Sequence, residues 1–213
     1  NNVTTACNTG CLFCNFKDAA QRFETDHDGE TDGFTKPPEQ SRQIARDAVE
    51  RGVYEICSVS GLHPALVLDD EHREILEAAE DDHNYKSASA YEVDPGTYTE
   101  QIEAMSVEGL HVHSMTPEEA YHARRGTDWS YEEVFERLKA AGLDSVPGTA
   151  AEILVDEVRE VICPGKIGTD EWLEAMTAAA DVGLGTTATI MYGHVENEAH
   201  RALHLDRIRT LQD

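Results

Sequence analysis

Residues 6–16 read ACNTGCLFCNF, which places three of the chain's five cysteines, Cys7, Cys11 and Cys14, in one short stretch. Their spacing is C-x3-C-x2-C, and the choice among disulfide, zinc, redox pair and open metal cluster decides both fold and function. A disulfide framework suits small secreted chains, whereas no basic n-region followed by an apolar h-region is visible here. Five cysteines would also leave one unpaired. A structural zinc site takes four ligands, typically as two separated pairs. No further Cys or His follows at finger spacing, and His27, the nearest, lies in a Gly/Asp-rich loop. Three thiolates from one loop can instead hold three irons of a 4Fe-4S cluster and leave the fourth iron without a protein ligand. Cys57 and Cys163 each stand alone in apolar surroundings and read as packing. Phe13, just before the third cysteine, is an ordinary loop aromatic on this reading.

Outward from this stretch, short β-branched runs alternate with helical patterns. Strands are expected within 53–61, 109–115, 142–148 and 183–194, and a first strand, mostly missing, before the cysteines. Helices are predicted over 37–52, with Pro at its start and Gly at its end, and over 69–82, with acids in its first turn. A third spans 130–142, where Ser130 and Glu133 have capping-box spacing. Two more cover 149–162 and 169–183, the latter with Thr169 as N-cap and Trp172, Leu173 and Met176 on one face. Such alternation implies a parallel sheet with right-handed crossovers. About five units are too few to close an eight-strand barrel. A doubly wound sheet is the rival, but its G-x-G-x-x-G fingerprint is missing, so the expected fold is α/β, a partial (β/α) TIM-like barrel. In either case ligands sit at the C-terminal strand ends, where the turns SGLHP, HSMTPEE, PGTAAE and YGHVE face one cavity.

The chain has 42 Asp and Glu against 17 Lys and Arg, a formal net charge of −25. That sign argues against nucleic acid as a general partner. No run of about 18 apolar residues is present, so no membrane span is expected, and the protein reads as cytoplasmic. Only residues 24–33, ETDHDGETDG, fit a solvated acidic segment; elsewhere the acids lie in periodic segments. Spread acidity with scarce Lys points to adaptation to high salt, which screens self-repulsion.

The cysteine spacing after a first barrel strand, together with VTTACNTGCLFCNF, SGLHP, HVHSMTPEEAYHARRG, AGLDSVPGTAAEILVDEVREVICPGKI, EWLEAM and TTATIMYGHVENEAHRALHLDRIRTLQD, resembles the radical SAM enzymes. Within them the chain is similar to the branch of FO synthase subunit 2 (the CofH type) and the menaquinone futalosine-pathway enzymes. Thr149 and Ala150 in PGTAAEIL favour the former, since the menaquinone enzymes tend toward glycines there. The turn Ser60-Gly61 departs from many relatives, which carry Gly at the first place. The resemblance also implies helix before the cysteine loop and a further strand and segment after LQD, so 1–213 is expected to be a single radical SAM core domain truncated at both ends.

The resemblance implies two cofactors, a 4Fe-4S cluster on Cys7, Cys11 and Cys14 and S-adenosyl-L-methionine (SAM) on the open iron. One electron from a donor cleaves SAM to a 5′-deoxyadenosyl radical. That radical abstracts hydrogen from L-tyrosine, whose 4-hydroxybenzyl fragment joins 5-amino-6-(D-ribitylamino)uracil while a glycine-derived imine leaves. The adduct passes to FO synthase subunit 1, a CofG-like enzyme. The Ser60–Gly61 backbone is expected near the SAM amino group, or as an ordinary tight turn. Glu152, early in its predicted helix, is expected to contact SAM ribose or substrate, or merely to pair with the helix dipole. His63, His111, His113 and His194 fall at predicted strand ends and are read as converging on a polar rim for substrate binding or proton transfer, with Tyr192 and Glu196 as weaker candidates. His200 and His204 are read as surface residues, Trp129 and Trp172 as packing. An electron-transfer iron–sulfur protein and a zinc-stabilised binding module are the competing classes.

Overall fold

The computed structural model describes residues 1–15, 33–79 and 85–213. Four short strands form one parallel sheet: β1 (Glu55–Ser58), β2 (His111–Ser114), β3 (Ser145–Val146) and β4 (Gly185–Thr186), side by side in chain order. Their register sets Glu55 opposite His111, Cys57 opposite His113, and His113 and Gly185 opposite Ser145. The N-terminal residues extend the sheet beyond β1. Asn2 bridges Val59 in parallel, and Gly61 N–H donates to Thr4 O at 3.0 Å. The four predicted strands are therefore present, before the cysteines there are only isolated bridges at Asn2 and Thr4, and among the described residues the sheet does not close.

Alternation of side chains decides which face is covered. Ile56, Val112 and Val146 point into the helix layer and are buried, while Glu55 stands exposed on the other face. The helices are α1 (Pro38–Glu50), α2 (Asp70–Ala78), α3 (Tyr98–Met105), α4 (Pro117–Ala123), α5 (Tyr131–Ala140), α6 (Asp156–Ile162), α7 (Thr169–Asp181) and α8 (Glu198–Gln212). One apolar core joins sheet and helices around Tyr131, Phe135, Leu138, Trp172 and Met176, and Trp129 packs into it as the sequence suggests. Among the described residues no helix is long and apolar enough to cross a membrane.

Local signals explain most helix starts. The Ser130–Glu133 capping box is formed, and the same S/T-x-x-E logic, unnoticed in the sequence, starts α3 at Thr97–Glu100 and α4 at Thr116–Glu119. Two expectations need correction. The predicted helix over 149–162 begins only at Asp156, and Ala150 and Glu152 have φ of 72° and 45°, which no right-handed helix allows. A tertiary anchor overrides propensity there: the buried Arg159 guanidinium donates to the carbonyls of Ala150, Ala151 and Ile167. Thr169 is not the N-cap of α7; Gly168 is, and the Thr169 amide and hydroxyl instead donate to Asp156 Oδ1 at 2.8 and 2.7 Å. All but the last residue of the acidic segment 24–33, and the end of the predicted helix at 80–82, lie outside the described residues.

Two histidines are packed into this frame as neutral groups. His72 Nδ1 accepts from Leu68 N–H at 3.0 Å and Nε2 donates to Arg125 O at 2.8 Å. His63 Nδ1 accepts from Ala65 N–H at 3.0 Å. Burial pushes both down to about 4. Between about pH 6.5 and 4 the unfolded chain binds protons that these native side chains refuse, so stability falls as pH falls, by about 3 kcal/mol per histidine. Glu119, raised by burial to about 7, works in the opposite sense, losing stability as pH rises through 7. The buried His122 and His204, also lowered, add to the histidine side. We therefore expect the thermal midpoint to drop from pH 7 to pH 4.5, and His72→Gln, which can keep both hydrogen bonds, to flatten that slope. An unchanged slope in the variant would refute this account.

Candidate active site at the cysteine loop

The cysteine loop, which follows the N-terminal residues bridged to Val59 and Thr35, is seated from two sides. On one side Gly61, just beyond β1, comes so close that an added Cβ would lie 2.3 Å from Ala6 O. Glycine is required here by close approach of two backbones. On the other side Leu12 N–H donates to Ile162 O, the end of α6, at 2.9 Å. Between them a cavity of about 290 Å³ opens at the C-terminal ends of the strands, lined by Cys7, Cys11 and Cys14. Ser60, Gly61 and Glu152 also line it, as the sequence suggests.

Of its further wall residues, Thr116, Glu118 and Thr149 lie in the turns HSMTPEE and PGTAAE that were expected to face the cavity, though not as named site residues, and Lys166 was not foreseen. Glu118 follows from the overlooked capping box, because Thr116 fixes the first turn of α4 and Glu118 is carried in that turn. Its Oε2 accepts from Ile167 N–H at 3.2 Å, and burial raises its pKa against the pull of Lys166 and this amide. Beneath the wall, Glu119 accepts from the amides of Thr116 and Ser60 and so ties the two strand-end turns together. Lys166 had its own signal: it is one of only five lysines in a strongly acidic chain. Its Nζ donates to Glu152 Oε1 at 2.6 Å, with both side chains nearly covered. Burial by itself would lower the Lys166 pKa; Glu152 overcomes that and holds it above the usual value. Glu152 thus sits in a left-handed backbone position outside any helix, facing an ammonium, and dipole pairing does not account for it.

The histidines do not converge. None of His63, His111, His113 and His194 lines the cavity. His111 begins β2 and His113 follows on the same face, below the strand end; both ring nitrogens meet Ser145 Oγ, at 2.6 and 2.7 Å. The His63 ring turns inward against Tyr91 and the Ala65 amide. His194 swings out on a turn held by Met191 O and Glu196, and it borders a separate groove with Tyr192, Leu12 and Phe13. His204 is buried, not a surface residue, because its Nδ1 accepts from Leu154 N–H at 3.0 Å. Cys57 is exposed rather than buried, since it lies on the uncovered face of β1. Cys163 is buried as expected but not alone: it packs with Cys11, and it does not line the cavity.

The donor set suits a cluster better than a single ion. A mononuclear thiolate site gathers its sulfurs within about 2.3 Å of one point. Among the described residues no three His, Cys, Asp or Glu side chains do so. The three cysteines line one cavity, and thiolates from one short loop are the ligand type that an iron–sulfur cluster would need. Burial pushes the Cys11 thiol up to about 12, with Lys166 opposing, so this sulfur gives up its proton readily only to a strong cation.

Residues 1–208 match the family model of the radical SAM superfamily. The chain belongs to that superfamily. Its whole length is 73% identical to a protein of Haloarcula marismortui and 68% identical to one of Halobacterium salinarum. A third relative, from Methanoculleus marisnigri, is 40% identical. All three are named 5-amino-6-(D-ribitylamino)uracil–L-tyrosine 4-hydroxyphenyl transferase. The chain covers 48%, 47% and 49% of them, about half the length of these curated relatives. The first two come from halophiles, in keeping with the acidic composition. Among solved structures the radical SAM chain resembles methylornithine synthase (PylB), with a TM-score of 0.62 at 14% identity over 99% of this chain and 50% of that one. The [FeFe]-hydrogenase maturase HydG follows, with a TM-score of 0.57 at 14% identity over 97% and 37%. These two likenesses show the fold, a part of a TIM-like barrel.

Seating of the cysteine loop gives a direct test. Gly61→Ala drives a methyl group into the Ala6 carbonyl and is expected to cost about 1–3 kcal/mol. Gly10→Ala puts the same methyl group into open space within the same loop. We expect the first variant to melt lower and to retain less iron after anaerobic reconstitution, and the second to match the parent. Equal behaviour of the two would show that the contact does not seat the loop.

Proposed function

We propose that this chain carries the site of a radical SAM transferase that joins the 4-hydroxybenzyl group of L-tyrosine to 5-amino-6-(D-ribitylamino)uracil, within a radical SAM core spanning 1–213. The observation that carries it is one cavity at the strand ends lined by Cys7, Cys11 and Cys14, in a chain 73% identical to a protein named for that reaction. When bound, a 4Fe-4S cluster with SAM supplies one-electron chemistry that yields a carbon-centred radical able to take a hydrogen atom from tyrosine.

The chain's own residues do the rest. Cys7, Cys11 and Cys14, which line the cavity, would hold the cluster as its three protein ligands. The Ser60–Gly61 turn, fixed from below by Glu119, presents main chain to the polar end of SAM. Glu152 and Glu118 offer acceptors to cationic or hydroxyl groups, and Lys166 fixes where Glu152 points. Apolar walls from Leu62, Phe13 and Ala150 keep water and stray hydrogen donors away from the reacting atoms. His111 and His113, each bonded to Ser145 Oγ, stand outside this cavity and take no part in this reading. Product passing to a CofG-like subunit 1 and an electron donor complete the reading.

Anaerobic reconstitution of the complete natural protein tests this. We expect iron and sulfide, an electron paramagnetic resonance signal that changes on adding SAM, and 5′-deoxyadenosine formed with tyrosine plus the aminouracil. Cys7→Ala, Cys11→Ala and Cys14→Ala should each reduce 5′-deoxyadenosine to background. Turnover only with futalosine-type precursors would replace the substrate assignment; zinc without iron would remove the cluster reading.

A further inference from the structure

We propose that Lys166 is a positioning residue for the charge of the cysteine site: a buried ammonium that favours the reduced, more negative state of the cluster held by Cys7, Cys11 and Cys14. This rests on the cluster reading above and adds to it a residue that sets how readily the site accepts its electron.

Several observations place the ammonium there. Among the described residues, Lys166 is the only Lys or Arg that lines the cavity. Its Nζ lies 5.6 Å from the ring centroid of Phe13, and Phe13 sits between Cys11 and Cys14. The Lys166 backbone N–H donates to Cys163 O at 3.0 Å, which anchors the stem of the side chain to the end of α6, where Cys11 packs. The side chain is only 14% exposed, so water screens its field weakly. The nearby Arg159 is fully engaged with the carbonyls of Ala150, Ala151 and Ile167. Among the described residues, the groups that face Lys166 include the Glu152 carboxylate at 2.6 Å, the Glu118 carboxyl and the sulfurs of Cys11 and Cys163.

Reduction adds one negative charge to a site already ringed by three thiolates. A poorly screened cation within reach of Cys11 lowers the free energy of that added charge, and cluster potentials respond to local charge in this way. Glu152 tempers the effect, since it neutralises part of the ammonium. The pair therefore predicts shifts of opposite sign: removing the cation makes reduction harder, and removing its counter-charge makes it easier. A purely structural ion pair would give no such opposition, because breaking it from either side would disturb the same fold in the same direction.

The test is a potentiometric titration, followed by electron paramagnetic resonance without SAM, on the anaerobically reconstituted natural protein and three variants. Iron, sulfide and far-ultraviolet circular dichroism are recorded for each. At the potential where half the parent cluster is reduced, Lys166→Met should lower the reduced-to-oxidised ratio roughly tenfold. Lys166→Arg should stay within about twofold of the parent and Glu152→Gln should raise the ratio, both by the same charge argument. Where Lys166→Met folds but holds no cluster, the sign of the shift in Glu152→Gln decides instead. An unmoved ratio in Lys166→Met, equal losses in Met and Arg variants, or a lowered or unchanged ratio in Glu152→Gln overturns it. If Lys166→Met fails to fold, the sign in Glu152→Gln decides. A parent protein without an iron signal overturns the cluster reading and this inference together, whereas an intact parent signal with unmoved variants overturns the inference alone.

Discussion

The Arg159 guanidinium is the group around which one wall of the cavity is built. It is buried, and it is satisfied by carbonyls on both sides of its own helix: Ala150 and Ala151 before α6, Ile167 after it. A buried charge left short of partners costs several kcal/mol, so these carbonyls are held where the guanidinium needs them. The segment 150–153 is thereby bent through left-handed positions rather than wound into helix, and 163–167 is folded back beside it. One consequence is that Glu152 and Lys166, fourteen residues apart, meet at the cavity. Another is that the C-terminal end of α6, at Ile162, is placed where it receives the Leu12 amide of the cysteine loop.

The opposite wall depends on strand ends rather than on a charge. Glu119 reaches from the first turn of α4 to the Thr116 and Ser60 amides, coupling a helix cap to the turn after β1. That turn carries Gly61, which admits the Ala6 carbonyl. The cysteine loop is thus clamped between a glycine contact and a helix end, neither of which involves a sulfur atom. All three thiols line the cavity, and none of them is used to hold the loop against these two contacts. Preorganisation of this kind is what a site needs when its ligands come from one short segment.

How much of this the sequence disclosed depends on how local each cause is. The strands were legible because β-branched runs between turn residues are a local signal, and Ser130–Glu133 because a capping box spans four residues. The cysteine spacing was legible for the same reason. The stretch 149–155 was misread as helix because its residues do favour helix; the Arg159 anchor that overrides them acts through tertiary contacts. The histidines misled for a related reason. Their positions near turns were roughly right, but side-chain direction was set by partners far along the chain: Ser145 for His113, and packing against Tyr91 for His63. Glu118 and Lys166 could have been found, one from the Thr116–Glu119 capping box and the other as a rare lysine before an Ile-Gly turn.

Surface and site obey different electrostatics in this chain. Most of its net charge of −25 is carried by exposed acids, whose mutual repulsion is relieved by salt. At about 1 M salt the screening length is near 3 Å, so such a surface contributes little field inside the cavity. The Glu152–Lys166 pair is nearly covered, at 13% and 14% exposed, and mobile ions reach it poorly. Ionic strength can therefore vary widely around the protein while the charges that face Cys11 stay the same. An acidic exterior suited to brine and a cation-bearing thiol pocket are compatible for that reason: the pair beside the thiols is covered by the walls that Arg159 and Glu119 hold in place.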